Sequence, residues 1–255
     1  MKIKLLLAVI LLSVTVQLNA QERSAFRAGY LRLGINELGD PLDQTMSPIR
    51  NIFDSRFGAS EGFAFEFGRI YYFGGKDHKG FLNLGLDWTM LSLNYNKLDK
   101  WQEYGENSGA ETIAIGGKKL ALSASTRLGP VLSINLVEHI VIDARVQLAP
   151  TLRFFDFNYS ENQGMPSERY FSFTNYSREA EEDGFDAESI KNRVSFGLAR
   201  SFGLTLRRKA LGVSADYISG EVKNHYEAIN PNFGEANGKD KIPFHTLQMT
   251  LNLTF

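Results

Sequence analysis

The sequence predicts an eight-stranded antiparallel up-and-down β-barrel that crosses a membrane, and three observations carry that prediction. Across eight segments the side chains alternate apolar and polar with period two, as strands with two unlike faces require. The polar positions hold Ser, Thr, Gly, Asn, Gln and Ala with a few Asp and Arg, not the Lys and Glu of a water-facing strand. The connections alternate short and long, which gathers short turns at one end of the sheet and long loops at the other.

The last strand is the clearest. From His245 the odd positions read His245, Leu247, Met249, Leu251, Leu253 and Phe255, and the even ones Thr246, Gln248, Thr250, Asn252 and Thr254. The first strand, residues 28–35, sets Leu31, Leu33 and Ile35 against Arg32 and Gly34. The second, residues 62–73, sets Phe63, Phe65, Phe67, Tyr71 and Phe73 against Glu66 and Gly68. In the third, residues 81–95, Leu82, Leu84, Leu86, Trp88 and Met90 alternate with Asn83, Gly85, Asp87 and Thr89. The phase slips after Met90, which predicts a bulge or an exit from the membrane.

The fourth strand, about 118–136, runs through Gly129-Pro130, because a turn there would leave too few residues to span a bilayer. The fifth, residues 140–159, contains Pro150, an irregularity in a strand paired on both sides. The sixth, residues 192–207, is regular except for Arg200, which interrupts its apolar series. A tight turn over 207–210 leads to the seventh, about 211–223. Long connections are expected over 36–61, 96–117, 160–191 and 224–241. Ser47-Pro48 ahead of Ile49, Ile52 and Phe53 reads as a capped short helix that either covers the barrel mouth or shields loop backbone.

Met1-Lys-Ile-Lys4, the apolar run Leu5–Leu12 and the small Ala20 form a secretory leader, expected to be cleaved near Ala20. The barrel domain then covers residues 21–255. Without Lys2 and Lys4 the formal charge moves from −1 to −3, and no basic stripe suited to nucleic acid is present. The sequence has no cysteine, which removes disulfides, thiolate metal sites, thiol nucleophiles and lipoprotein acylation. A soluble barrel with an apolar interior would also alternate, but its outer face would carry long charged side chains.

These features resemble the small eight-stranded outer-membrane barrels of the OmpX and OmpA-barrel type, and most of all the PorT-like "outer membrane protein β-barrel domain" proteins of Bacteroidota. The leader, the strand spacing, the hairpin from Leu128-Gly-Pro-Val131 to Pro150-Thr-Leu152, and Leu251-Asn-Leu-Thr-Phe255 carry the resemblance. It implies a Gram-negative outer-membrane location and contact with outer-membrane lipid and lipopolysaccharide. It also implies Phe255 as a signal read by the barrel-assembly machinery at the periplasmic rim, and an envelope or secretion complex as a further partner.

Nine ionisable residues fall on the inward parity: Arg32, Glu66, Asp87, Arg127, Asp143, Arg145, Arg153, Arg193 and Asp216. Five bases against four acids in a narrow lumen predict an interlocked network that fills the interior. A charged constriction in an ion path is the competing reading. Lipid-modifying barrel enzymes need a nucleophile beside a base. Here His245 precedes Thr246-Leu247 and His225 precedes Tyr226-Glu227, neither matching the lipid A deacylase pattern, while His78 and His139 fall in the short turns. No enzyme and no cofactor are therefore expected. The acidic stretch 179–188 reads as a solvated loop, with a divalent cation site the less favoured alternative. Tyr71, Tyr72, Phe73, Trp88, Tyr95, Phe154, Phe155, Phe157, Tyr217 and Phe255 suit aromatic girdles at the membrane surfaces.

The functional expectation is a barrel with a plugged polar lumen and four long extracellular loops, serving envelope integrity, adhesion or docking. A narrow porin-like channel or a part of a secretion assembly comes second, and a lipid-modifying enzyme third.

Overall fold

A computed structural model describes residues 25–74, 80–137, 140–162, 168–173, 194–230 and 234–255. The leader, Arg193, His78, His139 and the acidic stretch 179–188 lie outside the described residues.

The described residues form nine strands and two short helices in the order β1 (Gly29–Leu38), α1 (Pro48–Phe53), β2 (Gly62–Tyr72), β3 (Leu82–Lys97), α2 (Trp101–Asn107), β4 (Thr112–Val137), β5 (Ile140–Asn162), β6 (Glu168–Ser172), β7 (Val194–Arg208), β8 (Leu211–Asn230) and β9 (Gly234–Thr254). All pairings are antiparallel, and the β1–β9 and β4–β5 ladders close the sheet into a ring. The ring has eight positions. β6 and β7 share one of them, because both run antiparallel to β5 and both pair with β8, with β6 beyond the upper end of β7.

The faces sort as a membrane barrel requires. On β9, Thr246, Gln248, Thr250 and Asn252 are buried while Leu247, Met249 and Leu251 are exposed. On β7, Ser201 and Thr205 are buried, and Phe196, Leu198, Phe202, Leu204 and Leu206 point outward. A polar interior with an apolar exterior is the inverse of a soluble barrel and identifies a transmembrane one.

Irregular positions fall where the backbone can absorb them. The register of β3 shifts between Thr89 and Ser92, and that of β2 between Phe67 and Gly68, which is the predicted bulge. Pro130 and Pro150 both sit in gaps of the β4–β5 ladder, so neither removes a needed hydrogen bond. Pro243 lies on β9 beyond Thr246, the last residue that pairs with β1, where β9 has become an edge.

Strand length is the main departure from expectation. A tilted strand crosses a bilayer in about 9–11 residues. β4 has 26, β5 has 23, β8 has 20 and β9 has 21. The connection expected over 224–241 is instead a strand hairpin, with β8 continuing to Asn230 and β9 starting at Gly234. The connection expected over 96–117 contains α2, and β4 starts six residues before Lys118. The polar composition of 234–241 conceals this strand: Lys239, Asp240 and Lys241 are all exposed, and a run of polar residues carries no alternating hydrophobic signal.

The extra length of β4, β5, β8 and β9, with β6 between them, forms a five-stranded curved wall on the side away from the two-residue turn Lys209–Ala210. Among the described residues, the only strand ladder on β4 before Leu120 is the one with β5, and the only strand ladder on β9 before Thr246 is the one with β8. The opening between these edges is crossed by the segments bearing α1 and α2. Gly39 N–H donates to His245 O, Ser60 N–H to Lys97 O, and Lys100 N–H to Gly58 O.

Candidate functional site

The interior contains two chemically distinct storeys. The lower one lies within the membrane-crossing part and is built of ion pairs. Glu66 on β2 is its centre: Arg32 reaches its Oε2 at 3.2 Å, Arg127 Nη2 bonds its Oε1, and Ser92 and Gln248 also donate to that oxygen. Asp216 on β8 receives Arg145 through two parallel bonds, Nε to Oδ1 at 3.0 Å and Nη2 to Oδ2 at 2.5 Å. That fork geometry is the strongest form of this interaction. Asp87 lies 4.0 Å from both Arg32 and Arg145 and accepts the Tyr30 hydroxyl at 2.7 Å. The Arg32 guanidinium lies over the Tyr30 ring at 3.9 Å.

Nearer the tight turns, Asp143 accepts from Arg207 Nε at 2.8 Å and from Ser133 at 2.5 Å. Arg207 also donates to Tyr72 Oη and to Ala25 O. Small residues make room for these long side chains. At Gly203 a Cβ would collide with Asp216 Oδ1 and the Arg145 guanidinium, so only glycine leaves the fork intact.

The inward residues of the sequence reading are thus Arg32, Glu66, Asp87, Arg127, Asp143, Arg145, Arg153 and Asp216, all buried, with Arg193 outside the described residues. Arg153 stands apart from the others: it donates to Thr246 Oγ1 at 3.2 Å and stacks on Phe244 at 3.6 Å. Arg207, which the sequence reading placed in a turn, is a full member of the network. Its position was legible, since the inward series Ser201, Gly203, Thr205 reaches it with the same parity.

The upper storey is aromatic. Phe57, Trp101, Tyr104, Phe155, Phe157, Tyr159, Phe171 and Phe173 are each at most 1% exposed and pack with Ile52, Leu98 and Phe244. Trp101 lies 5.0 Å from both Phe157 and Tyr159, and its Nε1–H donates to Phe57 O at 2.9 Å. Phe155 stacks on Phe173 at 4.3 Å. The helix expected at Pro48 exists and covers this cluster, with Phe53 edge-on to Tyr226 at 5.3 Å. Ser47 makes no side-chain cap, and Asn51 instead gathers the preceding loop by accepting from Asp43 N–H and donating to Asp43 O.

A buried carboxylate locks α2 to the wall. Glu161 accepts from Tyr159 at 2.7 Å, from Ser108 at 2.8 Å and from Arg169 at 3.2 Å. Burial and the adjacent Glu161 push the Tyr159 and Tyr104 phenols well above their ordinary range, so both stay protonated donors. Tyr104 uses its proton on Met46 O at 2.6 Å.

The expected aromatic girdle is therefore smaller than the sequence suggested. Tyr71, Phe73, Trp88, Tyr217 and Phe255 are exposed on the outer surface, but Phe155 and Phe157 belong to the aromatic cluster and Tyr72 bonds inward to Arg207. Residues 153, 155, 157 and 159 share one face of β5, so the inward face changes from charged to aromatic after Arg153. Phe255 pairs its backbone with Gly29 in both directions, at the end of the barrel where Thr254 N–H donates to Ala210 O. His245 stacks on Tyr217 at 6.0 Å and lies 3.3 Å from Asp40. Arg200 points outward between Leu198 and Phe202.

No family model matches the chain, and no curated protein matches it in sequence. Among solved structures it is similar to Ail, the attachment invasion locus protein of Yersinia pestis, at 12% identity and a TM-score of 0.39, over 90% of this chain and 99% of that one. It is also similar to Neisserial surface protein A (NspA), at 10% identity and a TM-score of 0.38, over 92% of this chain and 100% of that one. At these values neither protein's properties extend to this chain; the barrel assignment rests on the ring of strands and its inverted faces.

Proposed function

We propose that this protein is a non-enzymatic outer-membrane barrel of a Gram-negative bacterium, with a plugged lumen, that displays a rigid extracellular wall for docking a partner. The observation that carries this reading is the projecting five-stranded wall, which has its own aromatic core and two buttressing helices. A loop that only joined strands would not bury this much aromatic surface.

The two edges of that wall that carry a strand ladder on one side only, among the described residues, differ. The β9 edge presents Lys239, Lys241 and Pro243, residue types that discourage strand addition. The β4 edge, Thr112-Ile-Ala-Ile-Gly116, carries none of them and, among the described residues, pairs only with β5. An extended segment of a partner protein would add to β4 as a further strand. The ion-paired lower storey supports a plug over a pore, because eight-stranded barrels fill their interiors with side chains.

In this reading the leader is removed near Ala20, lipid and lipopolysaccharide surround the apolar belt, and Phe255 is presented to the barrel-assembly machinery. PorT-like membership and docking within a secretion or other envelope complex are its finer form. A photo-cross-linking residue at Ala114, in cells carrying the intact protein, is expected to give adducts of discrete mass that are missing when it replaces lipid-facing Leu204. Adducts absent from Ala114 and from other positions on the wall would contradict a docking role.

A further inference from the structure

We infer that the outer face of β7, β8 and β9 holds the phosphorylated headgroup of a lipid of the lipid A class, with Arg200 as its principal ligand and Lys223 and Lys241 above it. The inference rests on the outer-membrane reading and adds a discrete lipid site to it. Arg200 interrupts an outward series, Phe196, Leu198, Phe202, Leu204 and Leu206, whose members are all at least half exposed. The other outward arginines of the crossing strands, Arg69 and Arg208, stand within three residues of the lower ends of β2 and β7. Arg200 stands eight residues above Arg208. At ~3.3 Å per residue and a tilt of ~40°, it lies about 20 Å above the turn, in the upper part of an apolar belt about 25 Å tall.

An arginine on the lipid face at this height is costly unless an anion meets it. Register sets Arg200 beside Leu148 on β5 and Ser219 on β8, and Ser219 beside His245 on β9. Ser219 contributes a hydroxyl to this row, and His245 is met by Asp40 at 3.3 Å. The outward carboxylate of the next row, Glu221, is taken by Lys241 at 3.1 Å. One row higher, Lys223 and Lys241 stand directly opposite each other, an arrangement of like charges that weakens a sheet when no anion is shared between them. Among the described residues neither Arg200 nor Lys223 forms an ion pair. Lys223 is level with Phe196, four residues beyond Arg200, or about 10 Å further up. An arginine at this height reaches the headgroup layer by extending its stem upward, so Arg200 and the two lysines serve one layer from below and above.

The surface beneath Arg200 selects a lipid over a free anion. Ala144 and Ala215 flank Leu204 in one cross-strand row, and Val146 and Tyr217 flank Phe202 in the row above it. The two alanines leave an apolar depression bordered by Phe202, Leu204 and Tyr217. An acyl chain fills such a depression while its headgroup sits at Arg200; inorganic phosphate gains nothing from it. A guanidinium binds phosphate through two parallel N–H bonds, which suits Arg200 to the phosphate nearer the chains. A second phosphate on the same headgroup reaches the lysine pair.

The test uses the full chain folded in neutral detergent, with bis-phosphorylated lipid A as the probe. The same lipid stripped of its phosphates, and inorganic phosphate, are the comparisons. Native mass spectrometry reads how many lipids stay bound and at what concentration. The native protein is expected to retain one lipid A, at least about tenfold more tightly than the stripped lipid, because the phosphates add charge-assisted bonds. Inorganic phosphate in large excess is expected to displace none of it. Arg200→Leu, which restores the apolar series and removes no packing, is expected to abolish the preference for the phosphorylated lipid, and Lys223→Gln to reduce it. Arg208→Gln, at the lower end of the same strand, is expected to preserve it. Equal retention of the two lipids by the native protein would overturn the proposal. So would a preference that survives in Arg200→Leu, an equal loss in Arg208→Gln, or displacement by inorganic phosphate. A chain missing from the outer-membrane fraction of cells would instead overturn the location on which the site depends.

Discussion

Replacing Glu66 with alanine is expected to lower the unfolding free energy of the detergent-folded barrel by about 3–5 kcal/mol, as removing one partner of a buried ion pair does. Glu66 is fully buried and holds two guanidinium groups, Arg32 and Arg127. Its loss leaves Arg32 only the longer contact with Asp87 at 4.0 Å and Arg127 only that with Asp216 at 3.7 Å, and these acids are already bonded by Tyr30 and Arg145. The loss of the negative charge matters more than the loss of volume. Glu66→Gln, which keeps the shape and one acceptor, should therefore recover only part of the deficit. Equilibrium urea unfolding measures both variants. A deficit below about 1 kcal/mol for the alanine variant would mean that water, not the carboxylate, satisfies the arginines.

Replacing Trp101 with alanine has the second large expected effect, and it acts on the other storey. The indole is fully buried, touches Tyr104, Phe157 and Tyr159, and bonds Phe57 O. Truncation of a buried tryptophan costs about 3–5 kcal/mol. Here that cost falls on the cap alone, because the membrane-crossing ladders do not pass through Trp101. The protein has two tryptophans, and the other, Trp88, is on the lipid face. In a Trp88→Phe background the remaining emission therefore reports Trp101 directly, and it is expected to be that of a buried indole. Trp101→Ala should open the segments bearing α1 and α2 to protease while the strand signal in circular dichroism persists. An unchanged digestion pattern would show that the cap does not depend on this side chain.

The contrast between the two storeys explains what the sequence made legible. Alternation within the membrane is enforced on both sides, by lipid outside and by a crowded polar lumen inside, so residues such as Leu247 and Gln248 declare their faces without ambiguity. The inward acids and bases could be read from parity alone, and Arg207 was lost only because two basic neighbours suggested a turn. Above the membrane the rule changes. The outer face of β9 at Lys239 and Lys241 meets water, the inner face of β5 meets Phe57 at Phe155 and Trp101 at Phe157, and neither matches the pattern that identifies a membrane strand. Aromatic residues there looked like a girdle because their period is the same. What separates a girdle from a core is the presence of something packed on it, and α2 comes from a connection whose sequence, Trp101-Gln-Glu-Tyr-Gly-Glu-Asn107, gives little helical periodicity.

The same reasoning bears on Arg153. Sequence parity counted it among the charges to be paired, and it does face inward. Pairing is a three-dimensional property, however, and the groups that receive Arg153 are the Thr246 hydroxyl and the Phe244 ring. The excess of one base over the acids was visible in the sequence, but its location at the boundary between storeys was not.

The proposed function requires the barrel to be closed, by ion pairs below and by an aromatic cap above, with docking on the outside of the wall. Planar-bilayer recording of the purified protein tests this most directly. The structure predicts no steady ion current from the native protein at either polarity, and none from Trp101→Ala either, since the lower storey stays intact. A stable, ohmic current from the native protein that is lost on replacing Arg145 or Asp143 would contradict it, and would make the charged lumen a conducting path.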